Sequence, residues 1–377
     1  MSTSEVAKDG FRAAVVREPG GPFQLEAASI TNPRDDEVLV RVVATGMCHT
    51  DMVARDQIYP VPQPIVLGHE GAGVVEAVGA GVTKVEPGDH VVLSFLWCGQ
   101  CSPCQTGHPA YCTNFNDYNF AGSRPGDGTH AVCGHDKTWL NDRFFGQSSF
   151  GEYAIANQRN VVKVRRDVPL ELLGPLGCGV QTGAGTILNA LKVQAGSSFA
   201  AFGGGAVGLS AVMAARVAGA TTIIAIDIVP SRLELARELG ATHVVNSSDE
   251  DPVEAIRSIT GEGVDYAMDS TGVTTVIRSA VLALRQTGSA AIVGASPPGA
   301  DLGLDVNDLM QSAKILRGVV EGDSVPDLFI PKLIDLYLDG RFPFDRLVKF
   351  YPFEKINEAA ADSESGTTLK PIVRIGT

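Results

Sequence analysis

Residues 197–227 have the sequence SSFAAFGGGAVGLSAVMAARVAGATTIIAID. The pattern predicts a strand over Ser197–Gly203, a helix over Ala206–Ala218 that ends at Gly219, and a second strand over Thr221–Asp227. A strand, a glycine-rich turn and a helix in this order open a βαβ unit. The stretch therefore predicts an α/β region with a parallel, doubly wound sheet.

The turn in this stretch has the spacing G-x-G-x-x-G, formed by Gly203, Gly205 and Gly208. The spacing alone is a weak signal, but here it follows a predicted strand and opens a predicted helix. Such glycines let the backbone approach a pyrophosphate, which the helix N-terminus stabilises. Asp227 follows about 20 residues later, where an acidic side chain accepts hydrogen bonds from the adenine ribose. The alternative is a glycine-rich turn in an unrelated α/β domain.

The residues after this stretch continue the alternation of strands and helices. A helix is predicted over Ser231–Leu239, with Ser231 as its N-cap and Glu234 completing a capping box. Further strands are predicted over His243–Asn246, Tyr266–Asp269 and Ala290–Gly294. After about residue 322 the predicted order is a helix, a strand, a helix and a strand, over Pro326–Leu338, Val348–Pro352, Glu354–Ser363 and Lys370–Ile375.

The first 180 residues are instead rich in predicted strands, separated by Gly, Pro and Asn turns. These strands are expected over Phe11–Val16, Phe23–Ile30, Glu37–Thr45, Gly71–Val78 and Asp89–Ser94. Residues 96–146 show no periodicity, which predicts an irregular lobe followed by a long loop. The texture changes to α/β at about residue 181 and changes again at about residue 322, so two domains are expected.

Charge and hydropathy exclude several classes of function. The formal net charge of −13 argues against nucleic acid as a partner, because binding phosphates needs an excess of Lys and Arg. Residues 1–10 are polar and contain no apolar signal segment. No apolar run is long enough to span a membrane. A cytoplasmic protein without membrane or nucleic-acid partners is the simplest expectation.

Four of the seven cysteines lie close together, in the pattern Cys98-x2-Cys101-x2-Cys104-x7-Cys112. Four thiolates at this spacing can form a closed tetrahedral shell around Zn²⁺, and a closed shell is a structural site. The lobe over about residues 96–115 is therefore predicted to hold a structural zinc. An iron–sulfur cluster or a chance spacing is the alternative. Cys133 has no partner in the pattern and is interpreted as a free thiol.

A second set of metal-binding side chains is dispersed along the chain. Cys48 lies in GMCHTD, His69 in GHEGAG and Cys178 in GCGV. Together, two thiolates and one imidazole would form a shell with an open fourth position. Taken singly, a buried cysteine is usually inert packing and a histidine is usually a hydrogen-bonded core residue.

The chain resembles the zinc-containing medium-chain dehydrogenase/reductase family over nearly its full length. The family's zinc signature matches Gly68-His69-Glu70 followed by Gly73, Gly79 and Val82, with Pro87-Gly88-Asp89 after it. Four stretches are similar, more narrowly, to bacterial benzyl- or aryl-alcohol dehydrogenases: Cys48–Asp51, Phe144–Phe150, Leu173–Gly179 and Lys349–Phe353.

This resemblance implies a GroES-like, β-rich catalytic domain over 1–180 and 322–377, and a Rossmann NAD-binding domain over 181–321. It implies that Cys48, His69 and Cys178 bind a catalytic zinc, so that each chain would hold one catalytic and one structural Zn²⁺. Asp51 would hydrogen-bond His69, and Glu70 would lie behind the metal.

The resemblance also assigns roles in proton transfer and cofactor binding. Thr50 would pass the alcohol proton to a cofactor ribose hydroxyl, and His49 would lie near the pyrophosphate. Many family members end this relay at a histidine five residues after the first zinc cysteine, where this chain has Val53. Arg232 would lie near the adenine ribose and Lys370 would contact the pyrophosphate, with an exposed cation as the alternative for each.

The function that these similarities imply is reversible oxidation of primary aromatic or allylic alcohols to aldehydes with NAD. Three aromatic residues, Tyr59, Phe95 and Trp97, are candidates for the substrate pocket or for the core. The long loop before Phe144 resembles that of dimeric family members, so a homodimer is expected, with a tetramer as the alternative. Rival hypotheses are a thiol-adduct formaldehyde dehydrogenase, a polyol dehydrogenase, and a non-catalytic dinucleotide-binding sensor.

Overall fold

The computed structural model describes residues 6–376 and divides them into two compact units. The first unit contains the chain up to Cys178, residues 325–332 and residues from 345 onward. The second unit contains Gly179–Ser324 and Leu333–Phe344. The boundary at 178/179 lies two residues before the predicted one. The chain was predicted to return to the first unit at residue 322. It does so at residue 325, but residues 333–344 pack with the second unit.

The first unit is built mainly from antiparallel strands. Its N-terminal strands are β1 (Val6–Val16), β2 (Gln24–Thr31), β3 (Glu37–Gly46), β4 (Ile65–Val66), β5 (Glu70–Val78), β6 (His90–Leu93), β7 (Val132–Gly134), β8 (Tyr153–Asn157) and β9 (Val161–Lys163). Three short helices interrupt them: α1 (His49–Arg55), α2 (Ser102–Gln105) and α3 (Phe115–Asn119). One sheet has the order β4-β1-β2-β7. Its strands contribute apolar side chains to a large core, including the fully buried Val15 and Ile30.

The second unit is a parallel six-stranded sheet with helices between its strands. The strands are β10 (Ser198–Phe202), β11 (Thr222–Asp227), β12 (His243–Asn246), β13 (Val264–Asp269), β14 (Leu284–Ile292) and β15 (Ile315–Gly318). The helices are α4 (Gly179–Gly185), α5 (Ala206–Ala218), α6 (Pro230–Leu239), α7 (Pro252–Thr260), α8 (Thr274–Leu282) and α9 (Val306–Ser312), with a π-helical turn at Thr186–Leu191 after α4.

The strand order of this sheet is β12-β11-β10-β13-β14-β15, and every pairing is parallel. The chain therefore enters the sheet at an inner strand, β10. The strand order then reverses between β10 and β13, although all the strands remain parallel. Ligands of doubly wound sheets bind at the carboxyl ends of the strands beside such a reversal. The predicted glycine turn follows β10 and Asp227 ends β11, so both lie at this edge.

The C-terminal residues complete the first unit. Helix α10 (Pro326–Leu338) belongs to this unit only up to Lys332, and it is followed by β16 (Val348–Pro352), α11 (Ile356–Glu364) and β17 (Lys370–Arg374). The second sheet of this unit has the order β16-β17-β3-β5-β6-β9, with β8 also paired to β3. Gly46 at the end of β3 pairs with Glu70 at the start of β5 and with Ile372 of β17. Three strands thus bring distant parts of the sequence together at one point.

The structure confirms the fold class and corrects local predictions. Helix α6 begins one residue before Ser231, because Pro230 occupies its first turn and Val229 is the N-cap. Pro is favoured at the first helical position, where its missing N–H costs nothing. The predicted helix over Glu354–Ser363 is a 3₁₀ turn at Phe353–Lys355 followed by α11. Among residues 6–376, no helix is both long and apolar enough to cross a membrane.

Candidate active site

The end of β3 and the start of β5 bring Cys48 and His69 together. Cys48 is the N-cap of α1, two residues after Gly46, and His69 immediately precedes Glu70, which pairs with Gly46. Cys178 arrives from a separate segment, at the end of a 3₁₀ turn over Gly174–Gly177. The ligand atoms of Cys48, His69, Glu70 and Cys178 all lie within 4.8 Å of one another.

His69 has the hydrogen bonding of a metal ligand. Its Nδ1 lies 2.8 Å from Oδ1 of Asp51, and both side chains are fully buried. Its other ring nitrogen, Nε2, is buried and has no hydrogen-bond partner among the described residues. An imidazole that donates Nδ1–H to a carboxylate presents the lone pair of Nε2 to a metal. The buried, unpartnered nitrogen beside two cysteine sulfurs therefore fits a Zn²⁺ ligand set.

The carboxylate of Asp51 connects the two sides of the site. Its Oδ1 accepts hydrogen bonds from His69 and from the backbone N–H of Gly68, at 3.1 Å in the second case. Its Oδ2 accepts the backbone N–H of Cys48 at 3.0 Å. One buried side chain thus fixes the positions of two candidate ligands.

The charges around this site favour a cation. A hydrogen bond from Cys178 lowers the pKa of Cys48 well below its usual value, and the charges of Lys370 and His69 act in the same direction. Burial opposes a charge on His69, but the nearby Asp51 carboxylate outweighs burial and raises the pKa of the imidazole well above its usual value. A field that favours a proton here also favours a metal ion in its place.

Glu70 lies in a buried ion pair with Lys370. The ammonium Nζ donates to both carboxylate oxygens, at 2.8 and 3.0 Å, and to the carbonyl of Met47 at 3.2 Å. Lys370 is only 3% exposed, so the alternative of an exposed cation is wrong for this residue. The backbone is close on both sides, since a Cβ at Gly46 would lie 2.0 Å from Oε2 of Glu70 and one at Gly174 would lie 2.2 Å from its carbonyl oxygen.

Two aromatic rings, which the sequence did not assign to the site, pack on His69. The ring of Phe145 stacks on the imidazole with a centroid distance of 4.4 Å and an interplanar angle of 24°. Phe144 meets it edge-on, at 5.4 Å and 83°. Both rings lie in the Phe144–Phe150 stretch that resembles aryl-alcohol dehydrogenases. That resemblance was the only feature of the sequence that could have pointed to them.

The segment that carries these rings has an unusual backbone. Arg143, Phe145, Gly146 and Ser148 have positive φ angles of 74°, 52°, 67° and 54°. Residues other than glycine seldom adopt such angles, and clusters of them occur at functional sites. Gln147, in the same segment, donates to the carbonyls of His69 and Ser94 and accepts the N–H of Gly71. The segment is thereby attached to the backbone of His69 and to strand β5, which follows it.

The other residues named from the sequence are distributed as follows. Thr50 is half-buried and its hydroxyl lies 3.8 Å from Sγ of Cys48, whereas His49 is exposed. Phe95 is fully buried in the core and contacts Trp97, which is half-buried. Tyr59 is 38% exposed and packs on Phe120 at 4.5 Å.

The four clustered cysteines meet around one point. The sulfur atoms of Cys101 and Cys104 are 3.4 Å apart, and those of Cys98 and Cys104, and of Cys101 and Cys112, are 3.9 Å apart. A tetrahedron of sulfurs about 2.3 Å from a zinc ion has edges of about 3.8 Å. A disulfide needs about 2.0 Å, and all seven cysteines are free. The geometry fits a closed metal site.

The pKa values of these cysteines also favour a bound cation. Backbone N–H groups of Thr113 and Cys104 lower the pKa of Cys101 to about 6. Burial and the neighbouring Cys101 raise the pKa of Cys104 to about 12. Adjacent thiolates repel one another, so all four can ionise at neutral pH only around a cation.

The glycine turn of the second unit has the geometry of a dinucleotide-binding turn. Gly203 has a φ of 102°, and a Cβ at Gly208 would lie 1.8 Å from its carbonyl oxygen. Gly205 is the N-cap of α5. Asp227 accepts the N–H of Gly204 at 2.6 Å and that of Val229 at 2.8 Å. The acidic side chain thus holds the turn at the sheet edge.

Arg232 lies beside Asp227, with Nη1 3.7 Å from Oδ2, and its side chain is 25% exposed. The guanidinium is therefore half-buried rather than free in solvent. Its Nε is buried without a hydrogen-bond partner among the described residues.

Comparison with known proteins identifies the class to which these features belong. Residues 34–166 match the alcohol dehydrogenase GroES-like domain, and residues 206–338 match the zinc-binding dehydrogenase domain. The first unit thus has a GroES-like fold with two candidate metal sites, and the second has the dinucleotide-binding fold. This combination defines the zinc-binding dehydrogenases.

Individual relatives narrow the class. A geraniol dehydrogenase from Castellaniella defragrans is 47% identical over 363 residues, which cover 96% of this chain and 97% of the relative. The crystal structure of a benzyl alcohol dehydrogenase from Acinetobacter calcoaceticus is 56% identical, with a TM-score of 0.95, covering 98% of this chain and 100% of that chain. An alcohol dehydrogenase zinc-binding domain protein from Burkholderia ambifaria is 60% identical, with a TM-score of 0.96, covering 97% and 99%. The chain belongs to the zinc-dependent alcohol dehydrogenases of the medium-chain dehydrogenase/reductase family.

Proposed function

We propose that this protein oxidises primary aromatic or allylic alcohols to aldehydes, reversibly, with NAD as hydride acceptor. The observation that carries the proposal is the set Cys48, His69 and Cys178, whose ligand atoms converge while aromatic rings pack directly on the histidine. A set of three protein ligands leaves one position for an alcohol oxygen. A purely structural metal site would instead have all four coordination positions filled by protein ligands.

When bound, zinc would supply Lewis acidity toward the alcohol oxygen, and the nicotinamide would accept the hydride. The residues of the chain would position these groups and move the proton. Asp51 holds His69 in the tautomer that presents Nε2. Thr50, beside the sulfur of Cys48, would accept the alcohol proton and pass it to the nicotinamide ribose. Because Val53 replaces the usual histidine, the proton would leave through water or His49, which is exposed.

Glu70 and Lys370 would form a neutral, buried pair behind the metal ligands. Burial raises the pKa of Glu70, whereas the charge of Lys370 opposes that rise. With its three hydrogen bonds directed to Glu70 and Met47, Lys370 would position Glu70 in the absence of cofactor. This role differs from the pyrophosphate contact that the family resemblance implies.

The substrate class is supported by an aromatic cluster in the first unit. Phe145 contacts His69, Phe115 and Phe120, and Phe120 in turn contacts Tyr59. Flat, polarisable substrates match such surroundings, since aromatic rings favour stacked and edge-to-face contacts. The names of two relatives agree, because geraniol is an allylic alcohol and benzyl alcohol is an aryl one.

The choice of NAD over NADP rests on Asp227. A 2′-phosphate on the adenine ribose would meet a carboxylate that is only 8% exposed. Arg232 reaches the same carboxylate from one side, at 3.7 Å, and would offset only part of this repulsion. A homodimer and a cytoplasmic location stay predictions from the sequence.

A substrate panel would test the proposal. We expect kcat/KM with NAD to be highest for benzyl, cinnamyl and geranyl alcohols, at least about 100-fold lower for hexan-1-ol, and lower still for sorbitol. A preference for the glutathione–formaldehyde adduct or for sorbitol would support the rival dehydrogenases. Zinc-loaded protein that binds NAD but turns over none of these alcohols would support the sensor hypothesis.

A further inference from the structure

A cavity of about 160 Å³ in the first unit is lined by an unusual number of arginines. Four arginines line it: Arg34, Arg124, Arg143 and Arg159. Only two carboxylates, Asp36 and Glu37, line the same space. The chain as a whole carries 43 acidic against 30 basic residues, so this cavity has the opposite charge balance to the rest of the molecule.

The two inner arginines are fixed by a single carboxylate. Arg124 donates to both oxygens of Glu37, at 2.7 and 3.0 Å, and Arg143 donates to one of them at 2.6 Å. Both arginines are at most 5% exposed. A second carboxylate, that of Asp142, lies 3.9 Å from Arg143 and outside the cavity lining. The two guanidinium groups thus share the carboxylate of Glu37, and each also donates to a backbone carbonyl, Arg124 to that of His130 and Arg143 to that of Ile155.

The two outer arginines differ from each other. Arg34 pairs with the exposed carboxylate of Asp127 at 2.7 Å. Within the described chain, the guanidinium of Arg159 has no hydrogen bond or ion pair, although its charge opposes the raised pKa of the Tyr118 phenol. Arg159, which is exposed, is therefore the donor most available to a ligand, and Tyr118 and Asn157 line the same space.

From this arrangement we propose that the cavity is a binding site for a small oxyanion, such as phosphate or a carboxylate group. Guanidinium groups match both anions with pairs of parallel hydrogen bonds. The anion would complete the coordination of Arg159 and would lie in a space that three further arginines line. This proposal is independent of the proposed alcohol substrate.

The site would connect two parts of the first unit. Leu96 lines the cavity two residues before Cys98 of the four-cysteine cluster. Gly146 lines it next to Phe145, whose ring stacks on His69. Because a ligand that binds only the folded state stabilises that state, a bound anion should raise the melting temperature (Tm) of the protein.

Titration calorimetry with inorganic phosphate would test the site, using zinc-loaded protein saturated with NAD so that the pyrophosphate site is filled. At constant ionic strength set by NaCl, we expect saturable binding of one phosphate per chain and a rise in Tm. Sodium acetate is the second arm, since it carries a carboxylate without the aromatic ring of the proposed substrates, and a carboxylate ligand would bind in place of phosphate and compete with it.

Two surface variants separate this cavity from other anion sites. Arg159→Gln should weaken binding of the favoured anion at least about 10-fold and remove the rise in Tm. Arg166→Gln is the matched control, because Arg166 is exposed, lies outside the cavity lining and should leave binding unchanged. The proposal is overturned if neither anion binds saturably, or if Arg159→Gln binds as tightly as the wild type.

Discussion

The ring of Phe145 stacks on the imidazole of His69, with a centroid distance of 4.4 Å and an interplanar angle of 24°, although the two residues belong to distant parts of the sequence. The Nδ1 edge of the same imidazole is held by a hydrogen bond to Asp51. The imidazole plane is thus defined by a stacked ring and a hydrogen bond together. A metal ligand whose plane is fixed in advance loses less conformational freedom when the metal binds.

We expect Phe145→Leu to weaken zinc binding at this site. Stacked aromatic pairs contribute about 0.5–1.5 kcal/mol beyond burial, which corresponds to about a 2- to 10-fold weaker affinity. Competition with a chelator would measure it. Phe115→Leu is the control, since Phe115 contacts Phe145 but not His69. An equal loss of affinity in both variants would contradict a specific role for stacking.

The two cysteine sites should hold two zinc ions with different functions. Cys48→Ser should retain one zinc per chain, stay folded and lose turnover. Cys101→Ser should lose several kcal/mol of stability, visible as a fall in Tm of about 10 °C, because a structural zinc contributes its binding energy to folding. Cys133→Ala, at a buried thiol outside both clusters, should retain both ions. Metal analysis of the wild type that finds fewer than two zinc ions per chain would sink this prediction.

The buried pair of Glu70 and Lys370 should be strongly coupled. Lys370→Met leaves a buried carboxylate unpaired and should lower the free energy of unfolding by about 3–5 kcal/mol. Adding Glu70→Gln should recover most of this loss, as judged by denaturant titration.

The same variants test the role of Lys370 in cofactor binding. If Lys370 acts only on Glu70, the affinity for NAD should differ less than about 3-fold between Glu70→Gln and the double variant. A 10-fold weaker affinity in the double variant would favour the pyrophosphate contact.

Thr50 should carry the proton away from the alcohol. Positioned proton transfer is worth about 10²–10⁴ in rate, so Thr50→Ala should lower kcat by that range, whereas Thr50→Ser should have a mild effect. His49→Gln should change mainly the affinity for the cofactor. A deuterium isotope effect on the alcohol carbon would establish that hydride transfer limits the rate. Near-normal kcat in Thr50→Ala under that condition would rule out the relay.

Asp227 should exclude NADP. A like-charge contact costs several kcal/mol, so we expect kcat/KM for NAD to exceed that for NADP at least about 100-fold. Asp227→Asn keeps an oxygen for the N–H of Val229 and should reduce the preference about 10-fold or more, whereas Asp249→Asn, at an exposed position, should not. An unchanged preference in Asp227→Asn would show that selectivity arises elsewhere.

The sequence predicted the elements whose pattern is local. The glycine turn, helix α5 and strand β11 all lie within one residue of their predicted bounds, because the 3.6- and 2-residue periodicities and the helix-ending Gly219 are visible in the chain itself. The edge strand β15 was not predicted.

The contacts that shape the first unit could not be predicted in this way. Glu37 binds Arg124 and Arg143 across 87 and 106 residues, and no local pattern marks these partners. The same is true of Phe145 on His69 and of Lys370 on Glu70. Family resemblance supplied the candidate ligands. The side chains that support those ligands became visible only once the strands had brought them together.

The left-handed residues at 143, 145, 146 and 148 have a consequence for how this segment can change. Each left-handed conformation belongs to one position along the segment. A deletion or insertion of one residue would therefore place every later residue in the wrong backbone conformation. The ring of Phe145 would then leave the face of His69. Single substitutions preserve the count and are the smaller perturbation. This segment therefore cannot vary in length, although loop-length variation is a common way of altering specificity. Mutant libraries aimed at new substrates should keep its length fixed.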